Sequence, residues 1–269
     1  MKVEFKKCFD RGQFKIMFLI IYIMTVLSFI AECMESTNCS MTLLRSANES
    51  TFLTGANTFL HAMVMVMPIM ASLIYADSYE EEKKNGINKY IATRIDIKRY
   101  LLGKGVVVFI MNFLCFFIPI IMNMLLCKWT FPKIGHDSIY GLPPYALELN
   151  YSQKILFNSL RLESPWIYNL VHALGVGLFA GILGLIIYGV FFISEKNKLK
   201  TVIEIYIIYV IWETVFGVLN VEKLRFTSYM VTGAYGTKPI MFGIFLVLFI
   251  IGMVLIGIGI KKESIDAGV

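Results

Sequence analysis

The sequence predicts an all-α integral membrane protein with six transmembrane helices and with both termini in the cytoplasm. Of its 269 residues, 57% are hydrophobic and only 16% are charged. Soluble domains carry about 25% charged residues, so the apolar excess is too large for one soluble core of this size. The apolar residues also fall into separate long runs, as they do in the spans of a polytopic protein.

The length of each apolar run identifies the spans. A bilayer core about 30 Å thick requires about 20 apolar residues in a helix, and backbone groups in lipid must be hydrogen-bonded within their own segment. The fifth run contains Glu204 and Glu213, but the apolar stretch from Ile205 to Trp212 supports a span there. The predicted spans, which form one transmembrane domain, are 14–33, 56–76, 104–127, 165–193, 201–220 and 239–260.

The distribution of Lys and Arg predicts the orientation of the chain. The two termini and the segments 77–104 and 194–200 together hold 17 of the 25 basic residues. Because Lys and Arg are retained in the cytoplasm, these four segments are predicted to be cytoplasmic. They include the 77–103 loop, whereas the 128–164 loop becomes the long outer one.

The 77–103 loop carries local signals for a short charged helix beneath the membrane. Ser78 followed by Glu81 is a capping-box pattern, and acidic residues precede basic ones as the helix dipole favours. Asn85–Gly86 predicts a left-handed stop. A second helix is then expected to lead through Arg99 into the third span.

The same loop resembles the permease subunits of type-2 ATP-binding-cassette exporters. Those proteins have an acidic residue four positions before a glycine, then an arginine, and a Gly-Lys pair that opens the third span. The matching residues are Asp77, Glu82, Gly86, Arg99 and Gly103–Lys104. The segment from Glu4 to Lys7 also resembles the amphipathic lead-in helix of this class. One departure is Ile95, which stands where the family often has proline.

This resemblance implies that the loop forms a coupling helix, with an exposed charged face, that docks onto a separate nucleotide-binding subunit. The chain itself would have no catalytic residue and no cofactor, since ATP and Mg would bind to the partner. A second permease copy, identical or similar, would complete the exporter. The partner-coupling residues implied are Asp77, Glu81, Glu82, Gly86, Arg99 and Lys104.

Within that class, the small size and compact loops resemble permeases of bacterial peptide-antibiotic and lantibiotic immunity systems. The resemblance implies antimicrobial peptide resistance, through export of an amphipathic peptide, an antibiotic or a lipid-like molecule from the cell membrane of a bacterium. No nucleic acid is expected as a partner.

The alternative function is a self-contained secondary transporter or a membrane-embedded enzyme. The sequence has no P-loop, GxSxG or HExxH motif, and His61, His136 and His172 form no metal-ligand pattern. A proton-coupled carrier usually has several ionisable residues near the bilayer midplane. This chain offers one good candidate, Glu213.

Glu213 and the neighbouring Trp212 are the predicted substrate-pathway residues. A carboxylate well inside a span is costly and is a functional candidate for that reason. Glu213 could bind a cationic group of the cargo, or it could pair with a neighbouring helix or reach water.

Two further patterns each allow two interpretations. Gly177 and Gly181 form a GxxxG pattern, which serves either packing within the bundle or a dimer face. Cys33 and Cys39 lie on the predicted outer side and are either bonded to each other or free.

Overall fold

The computed structural model agrees with the predicted fold class. Its described residues are 2–37, 44–54, 57–86, 96–133, 155–194, 198–232 and 236–266. Within these ranges there is no β-strand, and six helices are long and apolar enough to cross a membrane. The all-α prediction with six spans is therefore confirmed, and the chain is a multi-pass membrane protein. Cys39 lies outside the described residues.

Helices account for nearly all of the described chain. They are α1 (Lys2–Asp10), α2 (Gly12–Ser36), α3 (Asn57–Ala71), α4 (Ser78–Lys84), α5 (Ile97–Thr130), α6 (Asn158–Glu163), α7 (Pro165–Ile193), α8 (Lys198–Val218), α9 (Thr227–Met230) and α10 (Lys238–Asp266). A π-helical turn, Ser72–Ala76, extends α3, and a 3₁₀ turn, Glu222–Leu224, precedes α9. The spans are α2, α3 with its π-helical turn, α5, α7, α8 and α10.

The third span is longer than the apolar run that predicts it. Helix α5 has 34 residues, which corresponds to a length of about 51 Å and exceeds the hydrocarbon core of a bilayer. It begins at Ile97, where the side chain of Asp96 caps the helix by accepting from the backbone N–H of Lys98 at 3.0 Å. The second helix expected in the 77–103 loop is therefore the first part of α5.

Six spans place α1 and the end of α10 on the same side of the membrane. We call this side, which the Lys and Arg count assigns to the cytoplasm, the inner end, and the opposite side the outer end. Helix α4 lies at the inner end, between the second and third spans, and α6 and α9 lie at the outer end.

Labelling with an impermeant thiol reagent will test this orientation. Single cysteines replace Lys84, exposed on α4, and Lys133, exposed just after α5, in a chain whose five native cysteines are changed to serine. Position 133 is expected to label in intact cells, whereas position 84 labels only after permeabilisation, because basic loops stay in the cytoplasm. Labelling of position 84 in intact cells would reverse the assignment.

Helix α7 is the central helix of the bundle. It is the most buried of the six spans and packs mainly against α5 and α10. A Cβ atom at Gly177 would lie 3.0 Å from the ring of Phe113, and one at Gly181 would lie 2.9 Å from the ring of Phe109. The GxxxG pattern therefore serves close packing of α7 on α5 within one chain, and not a dimer face.

A proline in the second span creates a bond between helices. Pro68 has no backbone N–H, so the carbonyl of Val64, four residues earlier, loses its usual partner. The hydroxyl of Tyr209 in α8 donates to that carbonyl at 3.1 Å. Because an unsatisfied carbonyl in hydrocarbon is costly, this bond holds α8 against α3.

Candidate functional site

Helix α4 continues from the second span with almost no break. Asp77 has helical backbone angles, and its carbonyl accepts from the N–H of Glu81 at 3.2 Å. The capping-box prediction is wrong, since Ser78 is the first residue of α4 and its hydroxyl has no partner among the described residues. The reason is that a helix which continues from a preceding helical turn leaves few N–H groups that need a cap.

Helix α4 ends as its sequence predicts. Gly86 has a φ of +70°, and its N–H donates to the carbonyl of Lys83 at 3.1 Å. The N–H of Asn85 donates to the carbonyl of Glu81 at 3.1 Å. Glycine adopts this left-handed conformation without the steric cost that a Cβ brings, so Gly86 ends α4 after two helical turns.

Glu82 lies on the inward face of α4. Its carboxylate accepts from Nζ of Lys104 and from the hydroxyl of Tyr100, each at 2.6 Å, and from Nζ of Lys7 at 3.1 Å. Lys104 is fully buried at the start of the apolar part of α5. A buried ammonium requires a counter-ion, and Glu82 supplies it.

The pKa of Glu82 reflects these partners. Burial by itself raises the pKa of the carboxyl, but the nearby ammonium of Lys104 and the hydrogen bonds from Lys104 and Tyr100 lower it by more. The resulting pKa lies below the ordinary value, so Glu82 is ionised at neutral pH. The 2.6 Å contact between Glu82 and Nζ of Lys104 has the geometry of an ion pair.

Asp77 forms a second ion-pair centre at the junction of α3 and α4. Its side chain is fully buried and accepts from both terminal nitrogens of Arg11, at 2.5 and 3.1 Å. Lys198, the first residue of α8, also pairs with Asp77, and Arg11 additionally contacts Glu81. Asp77 thus joins the segment before α2 to the start of α8.

Contacts from α1 and α10 complete this arrangement. Glu4 accepts from Lys7 and from the hydroxyl of Tyr75, both at 2.8 Å, and Lys83 pairs with Glu263 at 2.5 Å. We refer to this set of charged residues as the inner charge cluster. Its members are Glu4, Lys7, Arg11, Asp77, Glu81, Glu82, Lys83, Lys104, Lys198 and Glu263.

The structure corrects the expectation that the acids of α4 form an exposed face. Asp77, Glu82 and Lys104 bond within the chain and are withdrawn from solvent. Only Glu81 and Arg99, among the predicted coupling residues with charged side chains, are largely exposed, at 58% and 89% of the side chain. The physical reason is that the cations at the starts of α5 and α8 require counter-ions. Asp77 and Glu82 therefore face these cations and not solvent.

Several members of the cluster were not singled out as functional candidates from the sequence. Arg11, Lys198 and Glu263 are distant from α4 in sequence and carry no motif. Lys104 is the sequence feature that indicates such a cluster, because a lysine at the start of an apolar run must reach the headgroups or be paired with an acid. That signal predicts an acidic partner but does not identify it.

Glu213 is held by the segment that follows α8. Its carboxylate accepts from the backbone N–H groups of Phe226 at 2.6 Å and Thr227 at 3.2 Å, and from the Thr227 hydroxyl at 2.7 Å. Nε of Arg225 lies 3.4 Å away. Glu213 is only 2% exposed, so its oxygens face the start of α9 and not an open pathway.

Trp212 faces a different environment, an apolar groove between α7, α8 and α10. Its indole N–H donates to the carbonyl of Leu224 at 2.9 Å, and its ring stacks on Phe226 with centroids 5.4 Å apart. The groove has a volume of about 530 Å³ and an almost wholly apolar lining. The two predicted substrate-pathway residues are thus adjacent in sequence but belong to different sites.

Comparison with known proteins adds no relative. No protein-family profile matches the chain, and no curated protein or solved structure matches it either. Among the described residues, no group of His, Cys, Asp and Glu side chains could hold a metal ion.

Proposed function

We propose that this chain is the membrane subunit of a type-2 ATP-binding-cassette exporter in a bacterial cell membrane. ATP and Mg would bind to separate nucleotide-binding subunits, and a second permease copy would complete the complex. The cargo would be an amphipathic peptide, an antibiotic or a lipid-like molecule, as in the immunity permeases that the sequence resembles.

The observation that carries this proposal is the position of α4 within the inner charge cluster. Through ion pairs, α4 and the preceding Asp77 contact α1, the segment before α2, α5, α8 and α10. The pairs of Asp77 with Arg11 and of Glu82 with Lys104 are buried, and breaking a buried pair leaves an uncompensated charge. A push on α4 by a partner would therefore move several spans together, as coupling requires.

The exposed charges are suited to contact the partner. The side chains of Arg99 and Lys84, and that of Glu81 at the edge of the inner charge cluster, are more than half exposed at the inner end. Exposed charges give partner specificity through complementarity, whereas buried ones hold the helix in place.

A secondary transporter receives less support from the geometry. Among the described residues, each buried charged side chain lies within about two turns of the end of its span or outside the spans. Glu213, the best candidate for a proton-linked or cargo-binding group, already accepts three hydrogen bonds, at 2.6, 2.7 and 3.2 Å. A carrier would need ionisable groups nearer the midplane.

Charge reversal at Arg99 tests the proposed coupling. A cassette ATPase gene is expected beside the gene of this chain. The two proteins are co-expressed, and the amount of ATPase that co-purifies is measured together with ATP hydrolysis. Arg99→Glu is expected to reduce co-purification at least about tenfold, because like charges at a complementary contact cost several kcal/mol. The substitution leaves the inner charge cluster intact, since Arg99 pairs with Asp96, 3.9 Å away, which is itself exposed and is not a member of the cluster.

Lys223→Glu is the matched control, because Lys223 is an exposed basic residue at the outer end. It is expected to bind the ATPase at the wild-type level. If Arg99→Glu also binds and stimulates the ATPase at the wild-type level, α4 and the start of α5 do not meet such a subunit and the proposal is wrong.

A further inference from the structure

Residues 44–54, between the first and second spans, form an irregular segment packed into the outer end of the bundle. The segment contains no helix or strand, yet Ser50, Phe52 and Leu53 in it are fully buried. Irregular backbone at membrane depth is tolerated only where protein surrounds it, because its N–H and C=O groups need partners. We call this segment the outer plug, and the part of the bundle that it occupies the seat.

Four side chains of the seat bond to main-chain groups of the outer plug. The pairs are Asn123 with the N–H of Phe52 at 2.8 Å, and Asn169, Cys127 and Thr232 with the carbonyls of Asn48, Ser50 and Leu53 at 2.7, 3.2 and 2.6 Å. Asn123 lies seven residues before the end of α5, so the plug reaches about 10 Å below that end. Asn123 and Asn169 are polar side chains within spans, where lipid offers them no partner and the plug supplies one.

The seated plug leaves some buried polar atoms without partners. Oγ of Ser50 and Oδ1 of Asn169 are buried and bond to no residue that the structure describes. A buried polar group without a hydrogen bond costs free energy that contact with water recovers. Release of the plug would return both atoms to water, and this gain offsets part of the cost of exposing Phe52 and Leu53.

The outer plug can leave its seat without unfolding a span. Its own backbone belongs to no helix, and the backbone hydrogen bonds of each span are made within that span. Segments of this kind open locally at a lower cost than the whole structure does. We propose that the outer plug is a gate. When seated it seals the outer end of the bundle, and it leaves the seat as a unit, while the six spans stay packed, to admit water from the outer side.

The accessibility of a thiol at position 50 tests this gate. Ser50→Cys replaces a buried hydroxyl that has no bond to lose, in a chain whose five native cysteines are changed to serine. Ala173→Cys, in a separate version of the same chain, reports on the spans, because Ala173 is fully buried in α7 one turn beyond Asn169. An impermeant thiol reagent applied to intact cells is expected to label position 50 at least about tenfold faster than position 173, because local opening is more frequent than disruption of the bundle.

Substitutions in the seat should open the gate more often. Asn123→Ala removes a bond to the plug and a 2.8 Å bond to the carbonyl of Thr25, and it should raise the labelling rate at position 50 about tenfold. Thr232→Val removes one bond to the plug, outside the spans, and should raise the rate about threefold. Thr37→Val is the matched control, because its hydroxyl bonds to a carbonyl of α2, and it should leave the rate unchanged.

Two results would overturn the proposal. Equal labelling rates at positions 50 and 173 would show that the plug is a fixed part of the bundle and opens only with it. Labelling at position 50 that Asn123→Ala and Thr232→Val both leave unchanged, or that they raise equally at position 173, would show that the seat does not control the plug. The measurement uses neither the partner ATPase nor a cargo, so its outcome does not depend on the proposed transport function.

Discussion

Replacing Lys104 by methionine will lower the free energy of unfolding by about 3–5 kcal/mol, the range measured when one partner of a buried ion pair is removed. Lys104 is fully buried, and its ammonium lies 2.6 Å from Glu82. Methionine fills a similar volume but leaves the Glu82 carboxylate with only Tyr100 and Lys7. The effect will be measured by thermal unfolding of the purified protein in detergent.

Two comparisons make this prediction specific. Lys98→Met is the control, because Lys98 is an exposed lysine on the same helix, and it should change stability little. The double variant Lys104→Met with Glu82→Gln should lose less free energy of unfolding than the two single variants lose in sum. The reason is that it leaves no unpaired charge. Strict additivity of the two losses would show that Glu82 and Lys104 do not stabilise each other.

The stability difference between wild type and Lys104→Met should also depend on pH. The wild-type pKa of Glu82 is lowered, so its contribution to stability is present above the ordinary value of 4.5 and is lost as the pH falls through the folded pKa. In Lys104→Met, the carboxyl of Glu82 stays buried but loses the nearby ammonium of Lys104. Protonation of Glu82 therefore becomes favourable. The gap in unfolding temperature is therefore expected to be largest near neutral pH. It should narrow as the pH falls through the raised pKa of Glu82 in the variant and on toward the lowered pKa in the wild type. A gap that widens on acidification would contradict the assignment.

The second large effect is expected at Gly259, where α10 touches α7. A Cβ at this position would overlap the Cβ of Phe192 and would lie 2.6 Å from the Cγ of the same residue. Because a Cβ moves only with its backbone, Gly259→Ala must separate the two helices, and overpacking of this kind costs about 1–3 kcal/mol. Thermal unfolding in detergent will measure the loss.

Gly257→Ala is a matched control on the same helix. A Cβ at Gly257 meets nothing within 4 Å, and alanine favours a helix over glycine by up to about 1 kcal/mol. This variant should unfold at the wild-type temperature or slightly above it, whereas Gly189→Ala should resemble Gly259→Ala, because its Cβ would lie 2.6 Å from that of Leu255. If Gly259→Ala and Gly257→Ala unfold at the same temperature, α7 and α10 do not approach each other closely at Gly259.

A substitution that separates α7 from α10 should also displace α4. The ring of Phe192 lies 4.3 Å from that of Tyr79, a buried residue of α4, so the same side chain meets both Gly259 and the candidate coupling helix. Packed interiors transmit displacements because they contain few voids. The glycine contact and the inner charge cluster are therefore parts of one packed region at the inner end.

The sequence by itself determined which segments span the membrane. Whether an apolar run is long enough to cross a bilayer depends only on that run, so the span at 165–193 coincides with α7 without any knowledge of its neighbours. The stop at Gly86 was equally local, since an Asn-Gly pair favours a left-handed turn in many surroundings. These features require no partner from elsewhere in the chain.

The tertiary structure alone decided which charges meet. Helix α4 is two turns long, too short for its pattern to show which face lies inward, and the partner of Glu82 lies 22 residues away on α5. In the sequence, Glu213 is likewise an isolated charge within a span. In the structure, the backbone N–H groups of Phe226 and Thr227 donate to it. A buried charge specifies only that some opposite charge or donor must approach it. Which group approaches depends on how the helices pack, and that is a property of the whole bundle.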